Sequence, residues 1–321
     1  METLAPTDDV RKLGMNYDLI GDIHGYADEL RGLLGRLGYE ERAGVFRHPD
    51  RTAVFVGDFV DRGPKIPEVL RIVRSMVEAG TALAVMGNHE LNALAYHTPD
   101  PAAPGEYLRQ HSPKNIRQHA ATVGQLSAGD LASHLAWFRT LPLWLDLDGL
   151  RVVHACWDES ALETVGSPAV AGAEDFVLAA CGDQGRLFAP VETLLKGKEA
   201  KLPPDVVQVD GEGEPRSHFR LRWYADARGQ TYRTYGLVNE PVACDEPLPE
   251  NLVAAAAPYP AAAKPVFIGH YGLRAAAPEP LAANVACVDW GVATGGLLCA
   301  YRWDGEERLE AGKFVAVVRR T

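Results

Sequence analysis

The sequence predicts an α/β protein built on a sheet with parallel strands, and three observations carry that prediction. Short apolar runs alternate with helix-like segments in the order β-α-β-α-β over the first part of the chain. The helix-like segments carry the amphipathic period and end in glycine. Each apolar run then stops at polar residues, where an open α/β sheet presents its ligand-binding crevice.

Taken in order, "YDLIGD" reads as a first strand and "ADELRGLLGRLG" as an amphipathic helix ending near Gly38. "TAVFVGD" is a second strand. "PKIPEVLRIVRSMVEAG" is a helix with Pro near its start and Gly at its end, the asymmetry that helix termini favour. "TALAVMGN" is a third strand, so the three pair in parallel through crossover connections. "LDLDGLRVVHA" reads as a hairpin turning at Asp148-Gly149. In the tail, "KPVFIGH", "ANVACVDWG", "GGLLCAYRWDG" and "GKFVAVVRR" read as short strands, several of them antiparallel. Between residues 157 and 264 the pattern weakens and Pro, Gly and charge increase. We read residues 1–156 and 265–321 as the core and 157–264 as an insertion or cap within the same domain. In that span "LLKGKEAKLPPD" reads as a basic loop, "FRLRWYAD" as a strand and "LVAAAAPYPAAAKP" as an irregular connection.

The 321 residues, 47% hydrophobic and 23% charged, suffice for a sizeable core. A net charge of -11 argues against nucleic-acid binding, which depends on neutralising phosphates. It leaves open a small phosphate substrate held by local cations. Five scattered cysteines without a CxxC pair point to a reduced, cytoplasmic setting. "METLAPTDDVRKLGM" lacks a signal-peptide core, and no segment reaches the length needed to span a bilayer.

The chemistry lies where the strands end. The first ends in Gly21-Asp22-Ile23-His24-Gly25, the second in Gly57-Asp58-Phe59-Val60-Asp61-Arg62-Gly63, the third in Gly87-Asn88-His89-Glu90. The hairpin delivers His154 and a late strand delivers His270. Asp oxygens and His nitrogens suit Mn, Fe or Zn, and two ions about 3.5–4 Å apart need a shared carboxylate with ligands on both sides. Asp22, His24, Asp58, Asn88, His154 and His270 supply such a set. The glycines before Asp22, Asp58, Asn88 and His270 are read as tight-turn residues.

The trio GDIHG, GDFVDRG and GNHE resembles the signature of the calcineurin-like phosphoprotein phosphatase superfamily, which includes bacterial and phage serine/threonine phosphatases and diadenosine tetraphosphatases. The likeness covers roughly half the chain: residues 17–91, then His154 and Gly269-His270. It implies a four-layer α/β/β/α fold and two divalent ions, manganese first, iron or zinc next. Asp22, His24 and Asp58 would hold one ion; Asp58, Asn88, His154 and His270 would hold the other. Asp58 and a hydroxide would bridge them, and that hydroxide would attack the phosphate. His89 would be the general acid, oriented by Asp61. Arg62 and Asn88 would hold phosphate oxygens, as Arg's planar fork suits. The superfamily's second phosphate-binding arginine has no clear match; Arg222 is the first candidate and Arg220 the next. Here Tyr271 follows His270 where the superfamily commonly has Thr, which would set a ring and hydroxyl beside the metals.

Other residues draw blander readings. Cys156 is a core residue, because a metal-bound His154 cannot serve as its base. His97, His111, His119 and His134 are solvated or structural. Asp289 orients His270 or nearby backbone. The tryptophans pack the interior, with Trp157 or Trp223 as nucleotide-flanking candidates. The function that follows is a metal-dependent phosphoesterase. A bacterial-type serine/threonine, also tyrosine, phosphoprotein phosphatase comes first. A dinucleoside polyphosphate hydrolase using Lys196, Lys198 and Lys201 comes next, and a non-catalytic metal-binding regulator last. The expected partner is a phosphorylated substrate, with no nucleic acid and no membrane.

Overall fold

The computed structural model describes residues 16–319 except 169–173, 183–184, 210–214, 238, 240 and 276; the N-terminal stretch 1–15 lies outside them. Three strands form as the sequence predicts: β1 (Tyr17–Ile20), β2 (Thr52–Phe55) and β3 (Ala82–Ala84), paired in parallel in that order. Helix α1 (Ala27–Leu37) ends at Gly38, whose φ of 91° only glycine adopts readily. Helix α2 (Ile66–Glu78) carries Pro67 in its first turn and buries Val69, Leu70, Ile72, Val73 and Met76. Residues 40–47 form a small hairpin not foreseen in the sequence. Three more helices follow the third strand: α3 (Asn88–Tyr96), α4 (Pro113–Gln125) and α5 (Ala128–Phe138).

The second sheet starts with the hairpin of β4 (Trp144–Asp146) and β5 (Arg151–Val153), turned at Gly149 with φ 90°. Strand β6 (Val266–Ile268) pairs in parallel with β5 and with β7 (Val285–Cys287). After one residue, Val288, the chain crosses into the first sheet as β8 (Asp289–Trp290). So "ANVACVDWG" is two strands in two sheets. Strand β9 (Leu297–Trp303) runs antiparallel to β1, β8 and the final β10 (Phe314–Val318).

Side-chain alternation explains the layers. Leu19 and Val54 of the first sheet meet Val152, Phe267 and Ala286 of the second in one apolar layer. Their neighbours Ile20, Ala53 and Phe55 point the other way, onto Leu30 and Leu33 of α1 and Val69 and Val73 of α2. Val153 and Ile268 face Leu162, Val191 and Leu194 on the far side. The last three belong to α6 (Glu159–Val165) and α8 (Phe188–Lys196), which flank α7 (Glu174–Cys181). The order is α/β/β/α, and burial on both faces is why the strands read as continuous apolar runs.

The span 157–264 is therefore structured in two ways. Helices α6 and α8 cover the second sheet, while Leu202, Phe219, Leu221, Tyr232, Tyr235 and Val242 build a small core of their own. "LLKGKEAKLPPD" is the end of α8 followed by the strand Glu199–Lys201, paired with His218–Arg220. It is not a loop, because its backbone pairs with His218–Arg220 and Ala200 packs on the small core. "FRLRWYAD" is a strand only in its first half. The Ala-rich run opens with a short helix, Glu250–Ala255.

Candidate metal centre

The strand-end loops are knitted together by their own backbone. The amides of Ile23 and His24 donate to the Asp58 carbonyl at 3.0 and 2.9 Å, and Gly63 donates to the His24 carbonyl at 2.8 Å. Such crossings force unusual dihedrals. Six non-glycine residues among those described have positive φ, and five are here: His24, Asp58, Asp61, Arg62 and His270. Strain gathered at one place marks a site that the surrounding structure holds rigidly.

The glycines serve mainly by lacking a side chain. Only Gly57, of the four before Asp22, Asp58, Asn88 and His270, has a positive φ (100°). At Gly269 an added Cβ would collide with Asp22 Oδ1 and crowd Val56. The expected tight turn lies instead at Asp58 and His270 themselves.

Asp58 sits at the centre. Its Oδ2 is 3.5 Å from His24 Nε2 and 3.8 Å from His89 Nε2, and its Oδ1 is 3.4 Å from His154 Nε2. Oδ1 also accepts the His89 amide at 2.9 Å. Two imidazoles are oriented from behind: His24 Nδ1–H donates to the Val60 carbonyl at 2.8 Å, and His154 Nδ1–H to the Val56 carbonyl at 2.7 Å. With Nδ1 protonated, a neutral ring turns its Nε2 lone pair toward Asp58. Asn88 Oδ1 lies 3.0 Å from His154 Nε2 and accepts His270 Nδ1–H at 2.8 Å. Asp22 Oδ2 accepts the His270 amide at 3.0 Å. Asp22 Oδ1 and His270 Nε2 are buried and have no hydrogen-bond partner.

Imidazole lone pairs, carboxylate oxygens and Asn88 Oδ1 thus converge in a buried cluster, an arrangement that a divalent cation satisfies and that is costly without one. Ligand atoms of His24, Asp58 and His89 lie within 4.8 Å of one another, as do those of Asp58, His154 and His270. Electrostatics agree. Burial, then Asp289 and Asp58, raise the Asp22 carboxyl well above its usual range. Burial, then Arg62, lower His24 to about 3. Burial, then Arg220, lower His270, so both rings present neutral nitrogen.

Each expected site residue can now be located. Asp22, His24, Asp58, Asn88, His89, His154 and His270 come together. Asp61 backs His89, its Oδ2 2.6 Å from His89 Nδ1. Arg62 is exposed at the rim and acts electrostatically on His24, His89 and Asp289. Arg222 does not join them, since its Nε donates to the Gly236 carbonyl at 3.0 Å. Arg220, the last residue of the strand His218–Arg220, lies 5.6 Å from the Tyr271 ring centroid and acts on His270. The Tyr271 hydroxyl turns away from the cluster and donates to the Ala155 carbonyl at 3.1 Å. Asp289 holds nearby backbone, accepting the Gly272 amide at 2.5 Å. Lys196 and Lys198 are paired with Glu192 and Asp158 at 2.5 and 2.6 Å. Trp223 is buried, and Trp157 is capped by Arg151 at 4.5 Å. Burial pushes the Cys156 thiol far up, as befits a core residue.

Two groups escaped the sequence reading. Glu90, wholly buried, accepts the amides of Asp58 and Phe59 at 2.8 Å each and of Gly87 at 3.0 Å. Its place three residues after Gly87, at a helix start, was a capping signal. His119, read as an ordinary histidine, is 4% exposed and meets Asp61 Oδ1 at 2.8 Å through Nδ1. Nothing local in the sequence marks that contact, which depends on how α4 docks.

Residues 15–164 match the family described as calcineurin-like phosphoesterase. The asymmetrical bis(5'-nucleosyl)-tetraphosphatase PrpE of Halalkalibacterium halodurans is 53% identical over 76 residues, 23% of this chain and 31% of that protein. The symmetrical bis(5'-nucleosyl)-tetraphosphatase of Hamiltonella defensa is 34% identical over 156 residues, 46% of this chain and 48% of that protein. The chain thus spans a third to a half of the length of these curated relatives. A protein serine/threonine phosphatase from Saccharomyces cerevisiae shares the fold at TM-score 0.52 and 14% identity, over 97% of this chain and 81% of that one.

Proposed function

We propose that the chain, whose residues 15–164 match the family described as calcineurin-like phosphoesterase, hydrolyses phosphate esters at a centre of two divalent metal ions. The observation that carries this reading is the convergence on Asp58 of two oriented imidazoles, with Asn88 Oδ1 between His154 Nε2 and His270 Nδ1 and with Asp22 Oδ1 buried and unpartnered. In this reading Asp22, His24 and Asp58 hold one ion, and Asp58, Asn88, His154 and His270 hold the other. Manganese is our first choice, then iron or zinc. Such ions, when bound, acidify water and neutralise phosphoryl charge. Arg62, at the rim, and the Asn88 amide grip the phosphoryl oxygens. His89, its Nδ1 held by Asp61, turns Nε2 inward and gives its proton to the departing oxygen. Arg220 is a better candidate than Arg222 for a second anion contact.

Two substrate classes remain, and the names of the sequence relatives favour dinucleoside polyphosphates. The motifs equally suit phosphoserine, phosphothreonine or phosphotyrosine esters. The part of 157–264 with its own small core is our candidate cap, since it carries Arg220 toward Tyr271. Phosphate release with added manganese, from a phosphoserine peptide, a phosphotyrosine peptide and diadenosine tetraphosphate side by side, tests the choice. Preference for the dinucleotide supports the favoured class; preference for a peptide replaces it. No turnover of any ester by metal-loaded protein sinks the hydrolytic reading.

A further inference from the structure

We propose that His119 is a positioning residue for His89, acting through Asp61. This rests on the reading of His89 as leaving-group acid.

The geometry begins with α4. Ser112 caps it, its side chain accepting the Asn115 amide, and Pro113 opens it. His119, Thr122 and Gln125 then recur every three residues, on one face of the helix. All three grip the loop that follows β2. Gln125 accepts the Ile66 amide at 2.9 Å and donates to the Gly63 carbonyl at 2.8 Å. Thr122 Oγ1 accepts the Asp61 amide at 3.0 Å and donates to Asp61 Oδ1 at 2.5 Å. His119 Nδ1–H donates to that same oxygen at 2.8 Å. Asp61 Oδ2 is left for His89 alone, at 2.6 Å.

The donor order fixes the tautomers. His119 Nδ1 faces a carboxylate, so it carries the proton, and in the neutral ring its Nε2 is an acceptor. His97 Nε2, 3.2 Å away, therefore donates to it. The chain reads His97 to His119 to Asp61, with His89 donating from the other side. A carboxylate held on Oδ1 by two donors cannot rotate, and Asp61 is also held at a φ of 66°. The result is a His89 whose Nδ1 is protonated and whose Nε2 points at the centre. As a water oxygen bonds to phosphorus, the P–O bond to the leaving group breaks, its electron pair goes to the departing oxygen, and the His89 Nε2 proton goes with it, leaving His89 neutral with Nδ1 still protonated. His119 moves no proton; it keeps the donor aimed.

An acid matters most when the leaving oxygen is basic. The test is His119→Phe, which keeps a ring and loses the donor, beside His119→Asn, whose amide restores a donor near Nδ1. His119→Phe is expected to lower kcat on a phosphoserine peptide by about ten- to hundredfold, part of what a general acid contributes. The loss on p-nitrophenyl phosphate, with its good leaving group, should stay under about threefold. KM should hold for both, and His119→Asn should recover most of the loss. Equal losses on both esters, or none, overturn the proposal. A second readout does not need turnover: imidazole 15N spectra of the zinc-loaded full chain. The proposal expects His89 to be protonated at Nδ1 in wild type and to lose that preference in His119→Phe. An unchanged His89 tautomer overturns it. Inactivity of the wild type on every ester would instead count against the hydrolytic reading, while the spectra still decide the role of His119.

Discussion

Replacing Glu90 perturbs the scaffold under the centre without removing an expected ligand side chain. Its carboxyl group gathers three backbone amides from the ends of β2 and β3, one on Oε1 and two on Oε2. Glu90→Ala leaves those three buried donors unpaired. At about 1–2 kcal/mol each, the cost is about 3–6 kcal/mol. Glu90→Gln can keep its carbonyl oxygen on the Asp58 and Gly87 amides, but sets an NH2 group against the Phe59 amide. One lost bond costs about 1–2 kcal/mol. The assay is urea unfolding of metal-free protein at pH 6. With m near about 3 kcal/mol/M, Glu90→Ala should lower the midpoint by about 1–2 M and Glu90→Gln by about 0.5 M. If both variants unfold within about 0.2 M of wild type at unchanged m, the amides do not depend on Glu90 and the reasoning fails.

Three further outcomes follow from the same geometry. Burial, then Asp58, raise Glu90 from 4.5 to about 7, so the folded metal-free chain binds a proton that the unfolded chain has lost. Its contribution is full below pH 4.5 and disappears as pH rises through 7; the stability gap between wild type and Glu90→Gln should therefore shrink from pH 5 to pH 8 in unfolding titrations. Gly269→Ala drives a Cβ into Asp22 Oδ1 and should weaken manganese binding by about 10–100-fold, read by calorimetric titration. Asp18, fully buried in β1, accepts Arg51 Nε at 2.9 Å and Arg302 Nε at 3.1 Å; Asp18→Ala should cost about 3 kcal/mol of stability by denaturation.

The centre was legible because the order of the sheet does the gathering. Asp22, Asp58 and Asn88 end or follow parallel neighbours, and His154 and His270 end strands that are neighbours in the facing sheet. Once strand and helix periods are read, that convergence follows. Contacts that depend on docking angle were not legible. His119 reaches Asp61 only because α4 lies across the loop 58–66, and a helix pattern carries no such angle. Arg220 and Arg222 look equivalent in sequence; the strand ends at Arg220, so the chain beyond it no longer alternates, and one arginine reaches toward Tyr271 while the other turns to the Gly236 carbonyl. The sheet crossing at Val288 was hidden for a similar reason, since "ANVACVDWG" stays apolar on both sides of it.

Manganese stoichiometry and phosphate release, measured together on wild type and Asp58→Asn, bear on the two-metal centre before anything else. Asp58 faces His24, His89 and His154 at once, so its replacement strikes both halves of the ligand set. Two ions per wild-type chain are expected, with fewer in Asp58→Asn and turnover lower by about 10²–10³-fold or more. An Asp58→Asn protein that binds two ions and releases phosphate at the wild-type rate would contradict the centre proposed for this chain.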